Sequence, residues 1–404
     1  MGLSAGSTFS GSSGSSKNKD PFGVSRNFFT LGLISFFQDI SSEMIYPLLP
    51  LFLATVVRAD KAIIGLIEGV AESTASVSKV FSGFLSDRLR RRKPPTFWGY
   101  FLSVVTRPFL YISTSWAHVL GIRFADRLGK GIRTAPRDAL IADVSEDGRR
   151  GRSYGFHRAM DSLGAVVGPL LAAFLLPLLG GSYRKVFLIA VIPGVLALLL
   201  FRFVKEKKVR PQPGAELPRL SFKGFDRRLK LLILIVTLFS IGNSSDVFLI
   251  LRARGLGITV GLVLVIYTLF NLVYSLFSVP AGILSDRIGR KPVLVLGYVI
   301  FSLVYLGFAL TKSAGFAWFL FIFYGLYRGI TDTVERAFVA DLAPVSQRGT
   351  ALGAYHTLVG LVLLPASIVG GLLWDKIGPP ATFFYGAITA LSAALLLLLL
   401  IRPR

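Results

Sequence analysis

Residues 282–293 read GILSDRIGRKPV, and residues 83–95 read GFLSDRLRRRKPP; the same loop occurs twice, 199 positions apart (83 to 282). A second pair keeps almost the same offset: ALIADVSEDGRRGRSYG (139–155) returns as AFVADLAPVSQRGTALG (337–353), 198 positions on (139 to 337). Two separate loops that match at nearly one spacing mark a duplication of about 200 residues. Whatever fold one half adopts, the other must repeat.

The composition says what the halves are made of. Of 404 residues, 53% are hydrophobic and 17% charged, and the mean hydropathy is +0.63. No soluble core needs that much apolar residue, so the chain reads as an all-α membrane protein. Runs of about 20 apolar residues, the length that crosses a bilayer, lie near 28–57, 62–86, 96–116, 117–136, 153–178 and 183–204. A second set lies near 229–251, 258–283, 292–311, 316–343, 350–374 and 380–401. The expected fold is twelve transmembrane helices in two pseudo-symmetric six-helix bundles. Residues 1–26, rich in Gly and Ser, read as a disordered tail; 27–204 form the first bundle, 205–228 a basic, Pro-rich linker, and 229–404 the second bundle. No cleavable signal peptide is visible, and the first helix is expected to direct insertion.

The net charge of +23 follows the loops. Basic residues crowd Arg88 to Lys93, Arg149 to Arg152, the linker, Arg287 to Lys291 and the terminal Arg402 and Arg404, all on one side. That is the positive-inside pattern, and it accounts for the charge without nucleic acid. Both termini are expected in the cytoplasm, with the body in the inner (plasma) membrane. The absence of cysteine excludes disulfides, thiolate zinc sites and thiol catalysis.

Charges inside the spans are the functional signal, because each costs about 2.5–3.5 kcal/mol at a helix centre in lipid. FFQDISSEMIYPLLPLFL (36–53) carries Asp39 and Glu43 one helical turn apart. The fourth span places Arg123, Asp126, Arg127, Lys130, Arg133 and Arg137 within an arc of about 120°. The tenth carries Arg328, Thr331, Asp332, Glu335 and Arg336; the second Glu68, Glu72 and Lys79; the fifth His157, Arg158 and Asp161; the seventh Asn243, Ser244 and Asp246. Such stripes must face protein or water, which implies a polar cavity shared by the halves. Arg123, Arg127 and Lys130 are expected to pair with Asp126, Glu68 or Glu72, and Arg107 with Glu72. Spans near 183–204, 292–311 and 380–401 have uncharged centres and are expected to face lipid.

No catalytic pattern is present: no G-x-x-x-x-G-K-[ST], no G-x-S-x-G, no H-E-x-x-H, and His118, His157 and His356 lack metal-ligand spacing. The reading is a non-enzyme with no cofactor and no metal, driven by an ion gradient or passive.

The repeated loop identifies a resemblance. Gly282, Asp286, Arg287, Gly289, Arg290 and Lys291 match the G-x-x-x-D-R-x-G-R-[KR] loop of the major facilitator superfamily of transporters. Gly83, Asp87, Arg88, Arg91 and Arg92 match in the first half, with Arg90 in place of the second glycine. Gly164, Gly168 and Pro169 in GAVVGPLLAA (164–173) resemble the helix-5 signature of that superfamily's antiporters, and RLGKG (127–131) its helix-4 pattern with Lys130 for glutamine. The resemblance implies a monomer that works by alternating access on a small-molecule substrate, in a drug/proton-antiporter-like branch. It implies proton coupling or cavity roles for Asp39, Glu43, Glu68, Glu72, Arg127 and Asp246, and cavity roles for Asn243, Arg328, Asp332 and Glu335. It implies a gate in which Asp87 or Asp286 caps a helix of the other half. Proton-coupled export is the leading expectation. The alternatives are a symporter or uniporter importing a polar solute, and a non-transporting sensor or scaffold. Asp39 and Glu43 resist ionising together; Glu43, nearer mid-span, is the expected proton carrier unless both acids pair with Arg123 or Arg127.

Overall fold

The computed structural model describes residues 26–89, 91–144, 150–206, 225–344 and 347–401; at 26, 28, 84–89, 142–144 and 150–155 it describes backbone alone. Every regular element among these residues is helical. The first half runs α1 (Arg26–Glu43), α2 (Leu49–Thr55), α3 (Lys61–Leu89), α4 (Lys93–Thr106), α5 (Phe109–Ile112), α6 (Trp116–Val144), α7 (Arg150–Leu178), α8 (Tyr183–Ile189) and α9 (Val191–Leu200), closing on a 3-10 turn, Phe201–Phe203. The second runs α10 (Arg227–Gly242), α11 (Val247–Gly255), α12 (Val260–Ile288), α13 (Arg290–Leu310), α14 (Ala314–Leu342), α15 (Arg348–Lys376) and α16 (Pro379–Leu400). Joined end to end where a span is only interrupted, these give six spans per half.

The interruptions have local causes. Span one breaks between α1 and α2 at 44–48, around Pro47, which has no amide to donate. Span three breaks at Arg107–Pro108 for the same reason. Span seven breaks at 243–246 without a proline. Residues 44 and 243 are 199 apart, the offset of the loop repeat, so the first helix of each half is broken at the same place. Broken helices at mid-depth expose backbone polar groups, which a membrane protein tolerates only beside protein or a wet space.

Among the described residues, seven segments are long and apolar enough to cross a membrane by length and composition: Phe156–Leu178, Tyr183–Phe203, Arg227–Gly255, Val260–Ile288, Arg290–Leu310, Arg348–Lys376 and Pro379–Leu400. The other five spans carry the charged stripes or are interrupted. Leu188, Ile192 and Leu199 on span six, Leu303 and Leu310 on α13, and Ile388 and Leu395 on α16 are exposed, as helices facing lipid should be.

Small residues bring the helices close, the usual means of association where water offers no hydrophobic drive. The two halves meet chiefly along α3 and α15, and along α7 and α12. A Cβ on Gly371 would lie 2.4 Å from Lys61 O, one on Gly65 2.1 Å from Ser367 O, and one on Gly360 2.2 Å from Ser76 Cβ. Ser73 Oγ donates to Gly360 O at 2.6 Å. At the end away from the linker, the amides of Lys61 and Ala62 donate to the Asp375 carboxylate at 3.2 and 2.8 Å. Toward the linker the contact ends: Gly349 and Gly353 have nothing within 4 Å. Among the described residues, α3 and α15 are close-packed at the far side and apart at the linker side.

Candidate functional site

Asp39 and Glu43 sit on the seam between α1 and α7. A Cβ on Gly164 would lie 2.8 Å from Asp39 Cβ, and one on Gly168 2.9 Å from Glu43 Cβ; Pro169 is buried beside them. The helix-5 glycines therefore serve to let α7 approach the two acids. Among the described residues no arginine or lysine comes within ion-pair distance of either carboxylate. Glu43 Oε2 is enclosed with no hydrogen-bond partner, and the nearby hydroxyl is that of Tyr267, from the other half. The alternative account, a pairing of Asp39 and Glu43 with Arg123 or Arg127, is not what the fold makes.

Those arginines have other partners. Arg123 grips Glu68 with two hydrogen bonds, Nε to Oε1 at 3.0 Å and Nη2 to Oε2 at 2.8 Å, and lies 3.5 Å from Asp126. Arg127 reaches Glu72 at 3.3 Å. Both guanidiniums stand 5.8 Å from the Tyr46 ring centre, a cation–π distance. Arg107 corrects a second expectation: it pairs with Asp126 at 3.6 Å and donates to Ser41 Oγ, which donates to Ala190 O. The break at Pro108 turns Arg107 inward toward α6, away from Glu72 on α3. Lys130 is exposed and has no acid within ion-pair distance among the described residues.

Nearer the linker, Ser35 Oγ joins His157 Nε2 (2.6 Å) and the Tyr100 hydroxyl (3.2 Å), while His157 Nδ1 lies 3.6 Å from Asp161. Arg137 bridges Asp138 (3.1 Å) and Asp161 (4.0 Å).

In the second half the Tyr324 hydroxyl donates to Asp246 at 2.6 Å, and Asn243 donates to the Tyr327 hydroxyl at 3.0 Å, both at the break between α10 and α11. Asp332 accepts from the Tyr274 hydroxyl at 2.7 Å and pairs with Arg336. Arg158 crosses from α7 to Tyr274 and stands 4.0 Å from Asp332. Arg328 is half-buried, with no acid within ion-pair distance among the described residues. Glu335 does not line the space between the halves. It is 7% exposed and accepts from the Tyr298 (3.0 Å) and Tyr355 (2.7 Å) hydroxyls inside its own bundle. One step along the stripe turns it past α14's cavity face.

The gate loops also differ from expectation. Asp286 pairs with Arg290 at 2.5 Å, and Arg290 holds Asp341 at 2.9 Å; all three belong to the second half, and among the described residues Asp286 caps no helix of the first. Arg287 is exposed. Gly289 has φ +94° and ψ 152°, a region open only to glycine, and Gly282 faces Thr333. In the first half Gly83 faces Ala135 and Arg91 is exposed, while the Asp87 and Arg88 side chains lie outside the described ones. Among the described residues, the carboxylate that caps a helix of the other half is Asp375, at the far side.

Sequence reading missed the hydroxyl of Tyr267, beside Glu43, and those of Tyr274, Tyr298, Tyr324, Tyr327 and Tyr355, which bond Asp332, Glu335, Asp246 and Asn243. The signal was there, in Tyr267/Tyr274 and Tyr298/Tyr305 seven apart and Tyr324/Tyr327 three apart, spacings that share a helix face.

Against known proteins, the sequence profile of the Major Facilitator Superfamily matches residues 31–252 and 231–404. The chain belongs to that superfamily. It is 40% identical over 387 residues to an uncharacterised MFS-type transporter of Methanocaldococcus jannaschii, covering 94% of this chain and 96% of the relative. It is 27% identical over 342 residues to a probable 4-methylmuconolactone transporter of Cupriavidus pinatubonensis, covering 79% and 76%. The crystal structure of a point mutant of the nucleoside transporter NupG superposes with a TM-score of 0.81 at 14% identity, covering 92% and 99%. The facilitator fold and membership are thus established, and the chain is a multi-pass membrane transporter, not an enzyme.

Proposed function

We propose that this facilitator exports a small molecule in exchange for protons, as a monomer in a prokaryotic plasma membrane, by alternating access between residues 27–204 and 229–404. The observation that carries the reading is the pair Asp39 and Glu43, held at mid-depth where α1 meets the helix-5 glycines, with no basic side chain within ion-pair distance among the described residues. A carboxylate that is neither paired nor free in water is suited to bind a proton on one side and release it on the other. Ion-paired Glu68, Glu72 and Asp126 then set the architecture around it. The basic loops support a cytoplasmic linker side and cytoplasmic termini; on this reading the described state is open inward, ready to load. The relative named for 4-methylmuconolactone supports a small organic solute.

The test is proton flux in proteoliposomes loaded with a pH-sensitive dye, with solutes that stabilise the purified protein added outside. Exchange predicts proton movement opposite to the solute, abolished by Glu43→Gln while solute–solute exchange at zero gradient survives. Proton movement in the same direction as the solute would establish symport instead. No proton movement with any transported solute would establish uniport.

A further inference from the structure

The 198-residue offset that relates spans four and ten permits a comparison position by position. Arg123, Asp126, Arg127, Lys130, Arg133 and Arg137 correspond to Phe321, Tyr324, Gly325, Arg328, Thr331 and Glu335. Only at Lys130 and Arg328 does a positive charge recur. Among the described residues neither has a carboxylate within ion-pair distance, whereas Arg123, Arg127 and Arg107 hold Glu68, Glu72 and Asp126, Arg137 holds Asp138, and Arg336 holds Asp332; Arg133, likewise without an acid, donates to Ser103 Oγ and lies over the Tyr100 ring. As repeat equivalents, Lys130 and Arg328 occupy corresponding positions on α6 and α14, one in each half. Glu72 lies within electrostatic reach of both, which places them about one site.

The acids around that site are accounted for. Glu72 is bound by Arg127, Asp246 by the Tyr324 hydroxyl at the start of α11, and Asp332 by Arg336 and Tyr274. Asp39 and Glu43 stand on the α1–α7 seam. What remains is a lysine, exposed, and an arginine, half-buried, on opposite domains of a protein whose domains must move against each other. A buried or half-buried cation needs a counter-charge, and among the described residues neither domain places one within ion-pair distance of either.

We propose that Lys130 and Arg328 form a two-sided oxyanion site and that the substrate is a small organic anion, its carboxylate or equivalent group held between them. This names the substrate class of the transport site proposed above and rests on that reading. The guanidinium fork of Arg328 suits bidentate contact with a planar oxyanion, and the Lys130 ammonium adds a mobile point charge. An anion bound to both cations draws the domains together. Its export is assisted by an inside-negative potential, worth about 2.3 kcal/mol per charge at 100 mV.

The test is binding to the purified full chain without any gradient, so it stands or falls separately from proton coupling. Benzoate, succinate, inorganic phosphate and tetraphenylphosphonium are titrated while the melting temperature is recorded. One or more of the anions should raise it. Lys130→Gln and Arg328→Gln should each weaken that response at least about tenfold, with the ligand-free melting temperature kept as the reference for folding. Arg328→Lys should retain part of the response, and Lys312→Gln, a surface change, all of it. Stabilisation by tetraphenylphosphonium alone, an anion response unchanged in both glutamine variants, or no response to any of the three anions would overturn the proposal.

Discussion

Arg123 and Glu68 show what the charged stripes are for at the scale of single residues. Their side chains are 6% and 1% exposed and share two hydrogen bonds, so the pair is satisfied but gains little over an apolar pair of the same shape. Breaking it is another matter. Arg123→Ala strands the Glu68 carboxylate and should cost about 3–5 kcal/mol, read as a fall in melting temperature. Replacing both residues with methionine should recover most of that loss. A single alanine variant as stable as wild type would show that Glu68 takes up a proton or a new partner instead. Such pairings were legible in sequence only as a short list of candidates. Helical spacing put the right residues on the right faces, and Arg123–Glu68 and Arg127–Glu72 came from that list. Arg107 was misassigned because its direction depends on the Pro108 break, and Glu335 because a stripe 120° wide does not say which edge faces the cavity.

Among elements, the loop between α12 and α13 turns on Gly289. Its glycine-only backbone lets Arg290, the first residue of α13, fold back on Asp286 and reach Asp341 on α14. Gly289→Ala should cost about 1–3 kcal/mol and loosen both contacts, lowering transport at unchanged expression; full transport would mean the loop is only a connection. The duplicated motif was therefore a sound reading of the fold. Its gating partner was not legible, because a state open at the linker side keeps Asp286 within its own half. The capping role expected of Asp286 is filled across the halves by Asp375, on the opposite membrane face, where no repeated motif draws the eye.

At the scale of the whole molecule, the far-side closure rests on α3 and α15, and Asp375 is its one charged clasp among the contacts described between those helices. The residue is exposed, so its hold on the first amides of α3 is worth about 0.3–1 kcal/mol, up to about fivefold in the ratio of the two open states. The chain has no cysteine, which makes single thiols clean reporters. Gly353→Cys lies in open space at the linker side and should react quickly with a maleimide. Ser367→Cys, 1% exposed between α3 and the break before α11, should react only during excursions that open the far side. Asp375→Ala should speed the Ser367→Cys reaction up to about fivefold while leaving Gly353→Cys nearly unchanged, since a minor state can grow severalfold without depleting the major one. Rigid rocking of the halves demands more. A bulky maleimide already attached to the Gly353→Cys thiol wedges the linker side open, and if the halves move as rigid bodies the far side cannot then open. Labelling of Ser367→Cys in the wedged double variant should fall severalfold below its unwedged rate. An equal rate would mean that the two ends open independently, and alternating access in this protein would have to come from bending at the broken helices of spans one and seven.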